Sequence, residues 1–167
     1  FNDVLRSVDS YAEQKGILDR HGSVWWGKFG AGAAQHVVEQ ARRQLRAGTA
    51  TYVYLFQNRT IRFTARLAEI VGGGRARLYP PPTPSLVPRY YRTERLPLWF
   101  RLVALDVAAP GVLRSIALYD GPFLPPDLTT MRGLVYVRAG DPRRPASTCH
   151  SCPRRARPDR VEPPRPK

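Results

Sequence analysis

Two β-type runs set three residues apart, TYVYLF at 51 to 56 and TIRFTARLAEIV at 60 to 71, constrain this chain more than any other feature. Both are rich in β-branched and aromatic residues, which suit a pleated, half-buried surface better than a helix. With only Gln57, Asn58 and Arg59 between them, they predict an antiparallel pair. In the second run Ile61, Phe63, Ala65, Leu67 and Glu69 alternate with Arg62, Thr64, Arg66, Ala68 and Ile70. One face is therefore largely apolar and the other partly basic. Gly72, Gly73 and Gly74 end the run.

The remaining pieces supply further strands and a few helices. SVWWGKF (23 to 29) reads as extended, as do LPLWFRLVALDVA (96 to 108), VLRSIALYD (112 to 120) and GLVYVRAG (133 to 140). Asn2 or Asp3 can cap a helix with Val4, Leu5, Val8, Tyr11 and Ala12 at helical spacing, and Gly16 is its predicted end. A second helix is predicted from Ala33 to Arg46, with Val37, Val38, Ala41 and Leu45 on one side and Gly48 as the stop. A short helical turn fits Asp127 to Met131. The segment YPPPTPSLVP (79 to 88) cannot enter a central ladder, because proline has no N–H to give it, so it should wrap the outside. Five or six strands, two helices and much extended chain predict an α+β fold: a small mixed or antiparallel β-barrel with helices packed on its side. No fixed-period repeat is present.

Charge narrows the partner. The 167 residues carry 27 Lys+Arg against 13 Asp+Glu, a formal charge of +14, which favours a polyanion over a neutral metabolite. From Arg138 onward nine basic and three acidic residues mix with seven prolines, too polar and proline-rich to build a core. That stretch takes +6 and leaves +8 on residues 1 to 137, so the folded part is basic by itself. The expected organisation is an N-terminal helical segment (1 to 21), a nucleic-acid-binding domain (22 to 140) and a basic tail (141 to 167).

The tail holds both cysteines, Cys149 and Cys152, around His150. Their spacing suits a zinc knuckle, but a structural zinc site needs four ligands, and His21 and His36 are far away in sequence. No metal or other cofactor is expected unless Cys149 and Cys152 find further ligands, as they would if the tail began a treble-clef or HNH module. Two cysteines do not make a secreted disulfide framework, and no apolar run approaches the roughly 18 residues that span a bilayer. A cytoplasmic protein with no membrane partner is the expectation.

The aromatic residues gather beside cations. Trp25, Trp26 and Phe29 form one group and Tyr52, Tyr54 and Phe56 another, while Tyr90, Tyr91, Trp99 and Phe100 lie close to Arg89, Arg92, Arg95 and Arg101. Bases stack on rings while phosphates pair with guanidinium groups, and a closed pocket of rings can hold one extruded base. Most rings in a small barrel simply fill it. In a doublet such as Trp25-Trp26, however, neighbouring side chains of a strand point to opposite faces. Trp26 is expected in the core and Trp25 at a ligand.

This layout resembles the EVE domains of the PUA superfamily, relatives of YTH and ASCH domains. The matching pieces are Val24-Trp25-Trp26-Gly27-Lys28, then a helix, Gly48 and the strand Tyr52-Val53-Tyr54-Leu55-Phe56, then Phe63 to Ile70 and, after an irregular crossing, Leu98-Trp99-Phe100-Arg101-Leu102. Together they cover roughly residues 22 to 138. Where the commonest EVE opening continues from lysine into Thr-Glu-Pro, Lys28 is followed by Phe29-Gly30. The resemblance implies a PUA-like barrel with a pocket between the first strand and the helix-bearing loops. That pocket would read a modified base (methylated or hydroxymethylated cytosine, or methyladenine) flipped out of double-stranded DNA, as the specificity module of a modification-dependent restriction or defence system. A nuclease or motor would lie on another domain or subunit. Base-pocket candidates are Trp25, Trp26, Lys28, Phe29, Tyr54 and Trp99. Backbone-contact candidates are Arg42, Arg43, Arg46, Arg89, Tyr90, Tyr91, Arg92 and Arg95.

Three other readings compete. Some ASCH relatives resemble amidohydrolases acting on acylated nucleosides through a lysine, a threonine and a glutamate, and Lys28 and Glu69 could supply two of these. An RNA-binding PUA-like module shares the charge and the rings. A protein-interaction module with an acidic partner explains the charge but leaves the aromatic doublets unused. No G-x-S-x-G, H-E-x-x-H or phosphate-binding glycine loop occurs, so no catalytic residue is assigned and a binding role is expected.

Overall fold

The two β-type runs pair as their composition demands, β2 (Thr51–Gln57) antiparallel to β3 (Thr60–Gly72). The computed structural model describes residues 9–30, 32–57, 60–73, 77–112, 116–118 and 137–139. Within these, β1 (Val24–Lys28) and β4 (Leu98–Val107) join the pair to make a four-stranded antiparallel sheet in the order β1-β4-β3-β2. Two short strands, β5 (Ile116–Leu118) and β6 (Val137–Ala139), form a separate antiparallel ladder. The fold is α+β, with α1 (Asp9–His21) and α2 (Gln35–Arg46) beside the sheet. The described strands do not close into the expected barrel: β1 and β2 are the two edges of an open sheet.

Glycine decides where the helices stop. Gly48 (φ 70°) ends α2 as predicted, its N–H bonded to the Leu45 carbonyl at 3.1 Å. The first helix runs through Gly16 and ends five residues later than predicted. Gly22 takes the left-handed conformation (φ 71°) and donates to the Leu18 carbonyl at 2.7 Å. A glycine inside a helix costs only about 1 kcal/mol relative to alanine, which the burial of Ile17 and Leu18 beyond it outweighs. The predicted start of this helix, at Asn2 or Asp3, lies outside the described residues, as do the turn residues Asn58 and Arg59, the 127–131 turn and the tail with Cys149 and Cys152.

One core serves helices and sheet alike. It contains Ile17 and Leu18 of α1, Val38 and Ala41 of α2, and the alternate residues Trp26, Phe100, Leu102, Leu105, Leu67 and Val53 from one face of the sheet. The N-terminal helix thus packs into the same core, and Tyr11 stacks on Phe63 of β3 with centroids 4.7 Å apart.

Facing β4, which skips Val103, β3 skips Ala68 and so changes phase. Its register with β4 shifts between Arg66 and Leu67 and again between Leu67 and Glu69. Such a bulge inserts a residue and turns the following side chains over. Ile70, not Glu69, therefore continues the buried face, and Glu69 sits opposite Arg101 on the other side. The expectation that Glu69 shares a face with Leu67 is corrected here: strict alternation holds only up to the bulge.

The proline-rich crossing stays outside the ladder as expected. It closes on itself through one isolated bridge, Tyr79 to Leu96, and otherwise runs through two short 3₁₀ turns, Pro84–Leu86 and Arg89–Tyr91. Among the described residues no helix is long and apolar enough to cross a membrane.

Candidate functional site

β1 is an edge strand, yet all five of its residues are buried. Val24, Trp26 and Lys28 share the core face, and Trp25 and Gly27 the opposite one. Trp26, 1% exposed, lies across from Phe100 and stacks on it with centroids 5.4 Å apart. The structure buries Trp25 as well, at 3% exposure. The expectation of one core indole and one free indole is therefore met for Trp26 and not for Trp25, since the second face of β1 is closed to solvent as well.

The crossing from 77 to 97 packs on this second face at Gly27 and Trp99. Tyr91 reaches back 64 residues to donate its hydroxyl proton to the Gly27 carbonyl at 3.1 Å. It stacks on Phe29 at 5.3 Å and meets Trp99 edge-on at 5.9 Å, while the Trp99 indole donates to the Tyr79 carbonyl at 3.0 Å. Gly27 makes this closeness possible: a Cβ there would run into Leu96 Cδ1 and sit 2.9 Å from Trp99 Cζ3. The rings are at direct packing distance from one another. Trp99 is fully buried, and Phe29, half-buried, is the ring of this cluster that faces outward.

Lys28 closes the strand. It is only 5% exposed, its ammonium lies 3.4 Å from the Phe29 carbonyl, and burial pushes its pKa below the ordinary lysine value. Its register partner Leu98 pairs on the other side with Gly72. The next residue, Gly73 (φ 132°), lies against α2, and a Cβ there would come within 3.3 Å of Val38 and 3.7 Å of Gln35 Oε1. A buried cation, an aromatic cluster and the first turn of α2 thus belong to one end of the sheet. α2 starts there without a side-chain cap and without an acidic residue in its first turn.

The remaining expected residues divide. Tyr54 is on β2, at the opposite edge of the sheet from β1, where burial raises its phenol pKa and neighbouring Tyr52 adds to the effect. Arg42 is tied down, bonded to the carbonyls of Gly72 and Ile70 and paired with Glu39 at 2.8 Å, so it fastens α2 to the sheet. Arg92 bonds the Val87 carbonyl at 3.4 Å. Arg43, Arg46, Arg89 and Arg95 are exposed, Arg43 with a bond to Gln40. Tyr90 is partly exposed and its hydroxyl accepts from Gln14 Nε2 at 3.1 Å. Tyr91, expected as a backbone contact, is buried as the plug just described.

Lys28 and Glu69, the two parts an amidohydrolase would need together, are separated. Lys28 lies on the core face opposite Leu98, and Glu69 lies on the other face opposite Arg101, whose Nε is 3.4 Å from Glu69 Oε2. Among the described residues no group of three or more His, Cys, Asp or Glu comes together as a metal site would require. Comparison of the chain with family models, curated proteins and solved structures finds no match.

Proposed function

We propose that the chain is a nucleic-acid-binding reader module of the EVE, PUA-like kind, in which the sheet is one wall of a barrel and the Lys28 end takes a single modified base extruded from double-stranded DNA. The base is a methylated or hydroxymethylated cytosine, or a methyladenine, and the nuclease or motor it serves is on another domain or subunit. The observation that carries this reading is that one end of the sheet holds a buried cation, Lys28, on one face and the Trp99–Tyr91–Phe29 rings against the other. A cation kept away from water suits a polar, electron-rich ligand, and rings at the same end of the sheet suit a flat one. The charge of +14 supplies the affinity for the polymer. Phe29 is the ring that a base would displace on entry. The separation of Lys28 from Glu69 favours reading over amide hydrolysis.

The test is a binding panel of one duplex carrying cytosine, methylcytosine, hydroxymethylcytosine or methyladenine, repeated across salt. One modified duplex should bind at least about tenfold more tightly than the plain one, which corresponds to roughly 1.4 kcal/mol. Affinity should fall linearly on a log–log plot against salt. Equal binding of all four duplexes removes the modified-base reading, and flat or absent binding removes nucleic acid altogether. Turnover of an acylated nucleoside, lost on Lys28→Ala, would establish the amidohydrolase instead.

A further inference from the structure

The far half of the sheet carries its own pattern. On the face turned away from the core, Tyr52 of β2 pairs across to Arg66 of β3, and Arg66 to Ala104 of β4. In the next row Tyr54 pairs with Thr64, and Thr64 with Asp106. Neighbouring strands are about 4.8 Å apart and same-face residues on one strand about 6.7 Å. Two phenol rings thus stand side by side on β2, with a guanidinium one strand away and a small alanine beyond it. Tyr52 is 54% exposed, Arg66 is exposed, and Arg66 makes no ion pair among the described residues. Of the acidic groups on this face, Glu69 pairs with Arg101, and Asp106 is exposed on β4, two strands away from Tyr54.

We propose that this face, built on Tyr52, Tyr54 and Arg66, docks a single-stranded polynucleotide. Two or three unpaired bases lie on the phenol rings while Arg66 holds a phosphate between them. A duplex hides its base faces and cannot use such a surface, whereas a single strand turns them outward. A protein partner would call for a desolvated apolar centre with few charges, and this face alternates rings with Arg66, Thr64 and Asp106. The excess of positive charge over the whole chain selects the polyanion. The inference rests on the nucleic-acid reading above and adds a second surface, on the opposite side of the sheet from Lys28, suited to a strand opened beside an extruded base.

The experiment uses the full chain and two probes: a labelled 15-residue oligothymidylate, and a paired duplex bearing the modified base preferred in the panel. Tyr52→Ala should weaken oligothymidylate binding by about 5- to 100-fold, the range of one base–aromatic stack, and leave duplex affinity unchanged. Tyr52→Ala with Tyr54→Ala should weaken it further, and Arg66→Gln should lower the salt slope by about one. Unchanged oligothymidylate binding in Tyr52→Ala, its fold checked by circular dichroism, overturns the proposal. So does a wild-type dimer that Tyr52→Ala makes monomeric in sedimentation, since a second copy would then occupy the face. Displacement of the oligonucleotide by polyglutamate at equal charge concentration overturns it too, in favour of an acidic protein. Duplex discrimination lost with oligothymidylate binding intact would remove the base-reading site alone, and the converse would remove only this one.

Discussion

The two ends of the sheet draw on the same stock of residues, aromatic rings with a cation nearby, and put them to opposite uses. At the β1 end, Trp25, Trp26, Trp99 and Tyr91 are all buried and Lys28 is buried with them. At the β2 end Tyr52 and Arg66 face solvent. Local sequence does not make the difference, since VWWGK and TYVYLF are both β-prone. What differs is cover: the proline-rich crossing lays Tyr79, Tyr91 and Leu96 over the β1 end. A ring's role is thus set by what a distant segment does to it.

The largest test of that contrast is Trp26→Ala, which should lower stability by about 3–5 kcal/mol in denaturant unfolding, because the indole fills the core against Phe100. Next, Gly27→Ala should cost about 1–3 kcal/mol, since the added methyl must push aside Leu96 and the Trp99 ring. A neutral result there would mean that the crossing does not press on β1. Lys28 gives a pH-dependent signature. Its folded pKa lies below the unfolded value of 10.5. Between the two the unfolded chain binds the extra proton, so stability rises with pH across that window. Melting temperatures of Lys28→Met and wild type should therefore differ most at neutral pH, with the variant higher, and converge as pH climbs toward 10.5; a gap independent of pH would show that no buried charge is involved. Smallest of all, Tyr52→Ala should change stability by no more than about 0.5 kcal/mol. A loss as large as that of Gly27→Ala would erase the distinction between the two ends.

Much of the framework was legible because composition and periodicity are local. Thr51–Gln57, Thr60–Gly72 and the second helix were readable from β-branched runs and from Gly48. The site was less so, for three physical reasons. Glu69 changes face through a bulge that no alternation rule contains. Trp25 is buried although it points away from the core face, while a sequence period reports only on the strand's own two faces. Arg42 looks like part of a basic helix face and is instead spent on the carbonyls of Ile70 and Gly72. For Tyr91 the sequence offers only Pro88, three residues earlier, which starts the tight turn that brings its hydroxyl to β1.

The position of β2 has a consequence for handling the protein. It is an edge of the sheet, and its seven residues TYVYLFQ contain no charge and no proline. Unpaired peptide groups along such a strand are a template for the same strand of another molecule. Colloidal repulsion from the high positive charge keeps those edges apart, and its range shrinks to about 8 Å at physiological ionic strength. High salt during purification therefore removes the protein's guard against self-association. Concentrated stocks should turn turbid sooner in salt than out of it.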